Sequence, residues 1–177
     1  MKLRVLPIAL TAIITASVLF GGWFLYRHMA IQNPLQQVVT KYPGVSSAQI
    51  NIKQDEVILK LVLKPDADLR GLVQQVKKEG QSIIGSRQLK LDIQDRSSAE
   101  LDAWWSQAMF PIAEAMENKK YTQIPATLET LEQKNAKVQA QTEMDDQNVY
   151  IRLKEGQASK FIILPREPET MGVWPNA

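Results

Sequence analysis

The residues able to do chemistry are few and scattered. One histidine, His28, and no cysteine occur in 177 residues. A Ser-His-Asp triad needs a histidine inside the folded part, and a thiolate or histidine-rich zinc site needs several such ligands, so neither can be assembled. His28 follows an apolar run and reads as a residue flanking a membrane. Four carboxylates, Glu100, Asp102, Glu114 and Glu117, fall on one stretch of helical periodicity. Paired carboxylates work as acid and base when they are buried together with shifted pKa values. Most of these lie off the apolar stripe, which predicts a solvated face. Asp145-Asp146 lacks the alternating ligands and closing glutamate of a calcium loop. Glycine is sparse, and no GxGxxG or GxxxxGK(S/T) loop for phosphate is present. The expectation is no catalytic residue, no metal ligand and no cofactor.

What remains is aromatic. Trp104 and Trp105 are adjacent, and neighbours on a helix point about 100° apart. At least one is expected in the core and the other near its rim. Together with Trp174 they are the candidate partner contacts.

The elements that position these residues begin with the stretch Val5–Tyr26, which contains no charged residue in 22 positions. At about 1.5 Å per residue it can cross a hydrocarbon core roughly 30 Å thick. Val5, Leu10, Ile14, Leu19, Trp23 and Tyr26 represent this membrane anchor, with Trp23 and Tyr26 suited to an interface. Lys2 and Arg4 before it favour an amino terminus in the cytoplasm and a main domain outside it. The run exceeds the apolar region of a typical cleaved signal and no convincing small-x-small site follows it. The expectation is an uncleaved signal anchor; the rival is a long cleaved signal that leaves a secreted domain. Setting Lys2 and Arg4 aside leaves 19 Lys+Arg against 19 Asp+Glu. Such a balance, without a basic stripe, gives no reason to expect nucleic acid as a partner.

The rest predicts an α+β fold with a mixed or antiparallel sheet, αββαβ and then ααβββ. Residues 29–42 predict a short helix opened at Pro34. Strands follow over 45–53 and 57–63, the second apolar on much of both faces and therefore central. Asp66 or Asp68 caps a helix that ends near Gly85, and 87–94 is a third strand. Ser97 or Ser98 caps a helix over 99–119. Its apolar face is broad, and Pro111 is expected to kink or divide it. A helix over 124–134, opening at Pro125, precedes strands near 138–144, 149–153 and 159–164. The organisation is a cytoplasmic stub and anchor over 1–28, an αββαβ lobe over 29–96, an ααβββ lobe over 97–164, and a flexible tail over 165–177. The loop at 95–98 is the boundary between the lobes, unless the two form one domain.

Residues 35–95, with Pro43-Gly44-Val45 and the strand around Leu89, Leu91 and Ile93, resemble the ring-building and alkaline-shock-type αββαβ modules of bacterial envelope proteins. The resemblance implies an envelope-assembly role and self-association. The function expected is that of a non-enzymatic, single-pass bacterial membrane protein. Its partners would be the lipid bilayer and another envelope protein or a second copy of itself. The alternative is a tethered small-ligand carrier or carboxylate-dependent enzyme with a groove between the lobes.

Overall fold

Apolar residues recur at two spacings along this chain, and each spacing produces its element. The computed structural model describes residues 5–26 and 33–167. α1 (Val5–Tyr26) is a single 22-residue helix. Its surroundings are described for residues 10–24, all exposed, including Leu10, Ile14, Leu19 and Trp23. Among the described residues no helix is long and apolar enough to cross a membrane. The span expected for the whole segment therefore rests on its sequence. The side chains of Val5 and Tyr26, and His28 with the rest of 27–32, lie outside the described residues.

The remainder is α+β, with four helices and two three-stranded sheets among the described residues. The first lobe runs α2 (Asn33–Lys41), β1 (Val45–Ile52), β2 (Glu56–Leu63), α3 (Leu69–Ile84) and β3 (Gln88–Gln94). β2 is the central strand, antiparallel to β1 and parallel to β3. Val57, Leu59, Leu61 and Leu63 are buried under α2 and α3, while Lys60 on the opposite face pairs with Asp92. The parallel pair requires a crossover, which α3 supplies. Asp68 caps α3 by accepting from the Gly71 amide at 2.8 Å, and Gly85 ends it. Gly44, at φ +93°, makes the turn into β1; a Cβ there would lie 2.7 Å from the Ala67 Cβ.

The second lobe runs α4 (Ala99–Glu117), α5 (Gln123–Lys134), β4 (Gln139–Met144), β5 (Asn148–Glu155) and β6 (Ala158–Pro165), its strands an antiparallel meander. Three expectations need correction. α4 is not divided at Pro111, which lies inside one helix. Pro111 and Gln107 are both exposed, so the Gln107 carbonyl that loses its amide partner can be hydrated, which removes the main penalty. α5 opens two residues ahead of Pro125, which therefore sits in its first turn, where a missing N–H does no harm. Pro165 is strand, not tail: it pairs with Asn148 at the end of β6, a position that needs no donor from it. Residues 168–177, including Trp174, lie outside the described residues.

The lobes meet along β5 and β6. Tyr150 and Phe161 are buried in the first core, whereas Val149, Ile151 and Leu153 are buried in the second. The loop at 95–98, expected as a boundary, is where the two sheets join. Ser159 donates its amide to the Arg96 carbonyl at 3.0 Å, and the Phe161 amide donates to Asp95 Oδ1 at 3.0 Å. Arg152 donates to the Ala67 carbonyl at 3.2 Å and Lys154 pairs with Asp66 at 2.6 Å.

Two predictions test this framework. Gly44→Ala adds left-handed strain and a backbone clash; it is expected to lower stability by about 2 kcal/mol or more in urea denaturation of the full chain in detergent. Glu56 accepts from Lys53 at 2.6 Å and Lys90 at 2.8 Å, and these two ammonium groups hold its carboxyl down at about 2. The folded value lies below the ordinary one, so the stabilisation is complete above about pH 4.5 and fades toward pH 2. Glu56→Gln is expected to unfold more readily than the parent at pH 7, with the difference vanishing near pH 2 in the same assay.

Candidate docking surface

α4 starts where Ser98 places its hydroxyl. Ser98 Oγ accepts from the Leu101 amide at 3.1 Å and donates to Glu155 Oε2 at 2.7 Å, so the cap also ties the helix to the β5–β6 hairpin. Glu100 and Asp102 in the first turn complement the helix dipole. From this start, Leu101, Trp104, Ala108, Ile112 and Ala115 form a buried stripe against β5 and α5.

The apolar face of α4 is wider than the core it covers. Trp105, Met109, Ala113 and Met116 continue it around the helix and, with Leu164, Pro165 and Arg166 of the β6 end, line a cleft of about 280 Å³. Met109 and Ala113 are both exposed, Met109 by 41%. Phe110 beside them is 73% exposed. Phe110 does not line the cleft, so α4 carries exposed apolar surface both in the cleft and outside it.

The far wall is held rigidly. Arg166 donates its amide to the Gln147 carbonyl at 2.8 Å and Nη1 to the Asp145 carbonyl at 2.9 Å. Its guanidinium carbon lies 4.8 Å from the centre of the Tyr121 ring, within cation–π range. Asp145 holds the turn beneath. Its Oδ1 accepts from the Gln147 and Asn148 amides and its Oδ2 from the Tyr150 hydroxyl, each at 2.8 Å. Burial works against its charge, but these hydrogen bonds prevail and keep its pKa below the usual range. Its oxygens are thus engaged by the turn itself.

The two tryptophans separate as their 100° offset requires. Trp104 is a core residue, 4% exposed, and Trp105 lines the cleft. The carboxylates do not converge. Asp102 accepts from Ser97 at 2.7 Å and Lys160 at 3.0 Å, which keep it below the usual range. Glu100 interacts with Glu155, whose hydrogen bond and charge raise its pKa. Glu114 is exposed, and Glu117 stands at the edge of the apolar cleft. Among the described residues no three His, Cys, Asp or Glu side chains are grouped to hold a metal ion. A second cleft, about 280 Å³, does lie between the lobes and contains Asp68, Glu143 and Arg152. Asp68 is exposed and engaged as the α3 cap, and Glu143 pairs with Arg70 at 3.3 Å, so neither is a buried free acid.

Sequence reasoning missed Phe110 and the wall at Leu164, Pro165 and Arg166. Phe110 carried a signal: it is an aromatic residue off the core stripe of its own helix. The wall carried none, because only the β6 register brings it to α4. Comparison with known protein families, curated proteins and solved structures finds no match to this chain.

The division of α4 into core and surface is testable by truncation. Trp104→Ala is expected to cost about 3–5 kcal/mol, the range for a buried aromatic residue, whereas Phe110→Ser should change stability by no more than about 0.5 kcal/mol. Equilibrium denaturation of both variants checks the contrast.

Proposed function

We propose that this chain is a non-enzymatic, membrane-anchored docking protein of a bacterial cell envelope. α1 sits in the bilayer with the amino terminus in the cytoplasm, and the α+β part lies outside the cytoplasm. There it binds another envelope protein through the cleft between α4 and β6. The observation that carries this reading is the apolar cleft lined by Trp105, Met109 and Met116, on a helix that also leaves Phe110 exposed. Interface hot spots are built from large aromatic and methionine side chains of this kind.

Two further features support it. α1 is apolar on all sides over its described part, and such a helix needs an apolar surrounding. Its Ser17 hydroxyl donates to the Ile13 carbonyl at 2.8 Å, so this polar group is already satisfied within the helix. The first lobe has the αββαβ order on which the likeness to ring-building modules rests, and its outer sheet face carries Lys60–Asp92 and Lys90–Glu56 pairs. Charged sheet faces and edges discourage indiscriminate strand addition. That leaves the α4–β6 cleft as the preferred contact.

The test is a photoreactive phenylalanine analogue placed at Phe110, and in parallel at Glu79 on the exposed side of α3, in intact cells of the source organism at native abundance. A discrete protein adduct from position 110 and none from position 79, recovered in membranes after alkaline extraction, is expected. No adduct from position 110, or release of the chain by the extraction, would overturn the proposal.

A further inference from the structure

The cleft between α4 and β6 lies where β6 ends. Leu164, Pro165 and Arg166 form one of its walls, and only Glu167 separates that wall from residues 168–177. We propose that residues 168–177 of the same chain occupy this cleft, with Trp174 seated against Trp105 and Met109, and compete there with the envelope partner. The competition rests on the docking reading of the cleft; the contact itself does not.

Size and lining favour a peptide side chain as occupant. At about 280 Å³ the cleft falls just under the range of pockets for small organic ligands, and its lining is mainly apolar. Methionines at two of its positions, 109 and 116, adapt to the shape of an aromatic ring and make favourable sulfur–aromatic contacts. The segment PETMGVWPNA offers matching chemistry: Met171, Val173 and Trp174 are large and apolar, and Glu169 is its one charged side chain. Arg166 Nε is a buried donor with no partner among the described residues, so a cleft-lining residue retains one donor for an incoming carbonyl.

Reach and tethering make the contact feasible. Trp174 lies eight residues beyond Arg166, a span that can extend about 26–29 Å. The α4 wall from Trp105 to Met116 is only about 16 Å long, so Trp174 can reach all of it. Arg166 is pinned to Asp145 and Tyr121, which fixes the point of departure at the cleft itself. A connection this short raises the local concentration into the millimolar range, so a contact of modest intrinsic affinity is occupied in the same chain. A partner must then displace it.

The absence of cysteine from the sequence gives a clean test. In the full chain in detergent, Ala113→Cys is combined with Val173→Cys, placing one thiol in the cleft and one beside an intact Trp174. A control joins Gln107→Cys, on α4 but outside the cleft, with Val173→Cys. Mild oxidation is expected to close an intramolecular disulfide at least about tenfold faster at positions 113 and 173 than in the control, and Trp174→Ser should erase the difference. Equal rates in the two pairs would overturn the proposal, as would a disulfide formed only between two chains, which would make a second copy the occupant. Deleting residues 168–177 should raise the Phe110 adduct severalfold in cells. If the 113–173 disulfide forms with its preference but Phe110 captures no protein with or without the deletion, the docking function fails and the contact stands. If Phe110 captures a partner at the same level with and without the deletion, the competition fails.

Discussion

The side chains of β5 and β6 point alternately into two different cores. Val149, Ile151 and Leu153 go one way, under α4 and α5; Tyr150 and Phe161 go the other, toward β2 and α3. A strand has a side-chain period of two, so this division is set once the register is set, and a slip of one residue would empty both cores together. The three-stranded meander is therefore a shared middle layer. The polar contacts of the seam reinforce the same alignment. Asp95 receives the Phe161 amide, and Lys160 lies between Asp95 at 3.5 Å and Asp102 at 3.0 Å. The start of α4 is in this way tied to the end of the first sheet.

A shared layer has a consequence for the helix that covers it. One face of the meander is occupied by the first lobe, so α4 and α5 have only the other face on which to bury apolar surface. α4 carries more apolar side chains than that face can accept. Leu101, Trp104, Ala108, Ile112 and Ala115 use the available area, and Trp105, Met109 and Met116 are left on the shoulder. The cleft arises from this surplus, completed by a β6 end that the Arg166 contacts hold in place. Nothing in the packing of the core demands Phe110, which stands exposed on α4.

Much of the framework was legible in the sequence. The helix caps, narrowed by sequence to Asp66 or Asp68 and to Ser97 or Ser98, are Asp68 and Ser98, and the Gly85 stop and the central position of β2 are present as expected. The continuity of α4 through Pro111 was not legible, because it depends on which side of the helix faces water. Nor was the destination of Tyr150 and Phe161. A strand buried on both faces announces that it is covered twice, but it does not announce by what. The loop at 95–98 is polar and reads as a linker, yet its backbone is paired with β6. The candidate site was half legible. The tryptophan pair gave the offset between core and rim, and the opposite wall came only from tertiary register.

The anchor and the cleft impose complementary constraints. On the proposed function, an apolar helix with a satisfied Ser17 would need no protein partner in lipid, and α1 would localise without specifying. Specificity must then come from the folded part, whose net charge is near zero and which therefore has little long-range steering to offer. A neutral surface relies on short-range complementarity, and the proposed confinement to a membrane would compensate for slow encounter by raising local concentration. On the docking reading, a small apolar cleft suits that regime. It is equally exposed to any apolar segment tethered nearby, and the nearest such segment in sequence is the one that leaves its own wall.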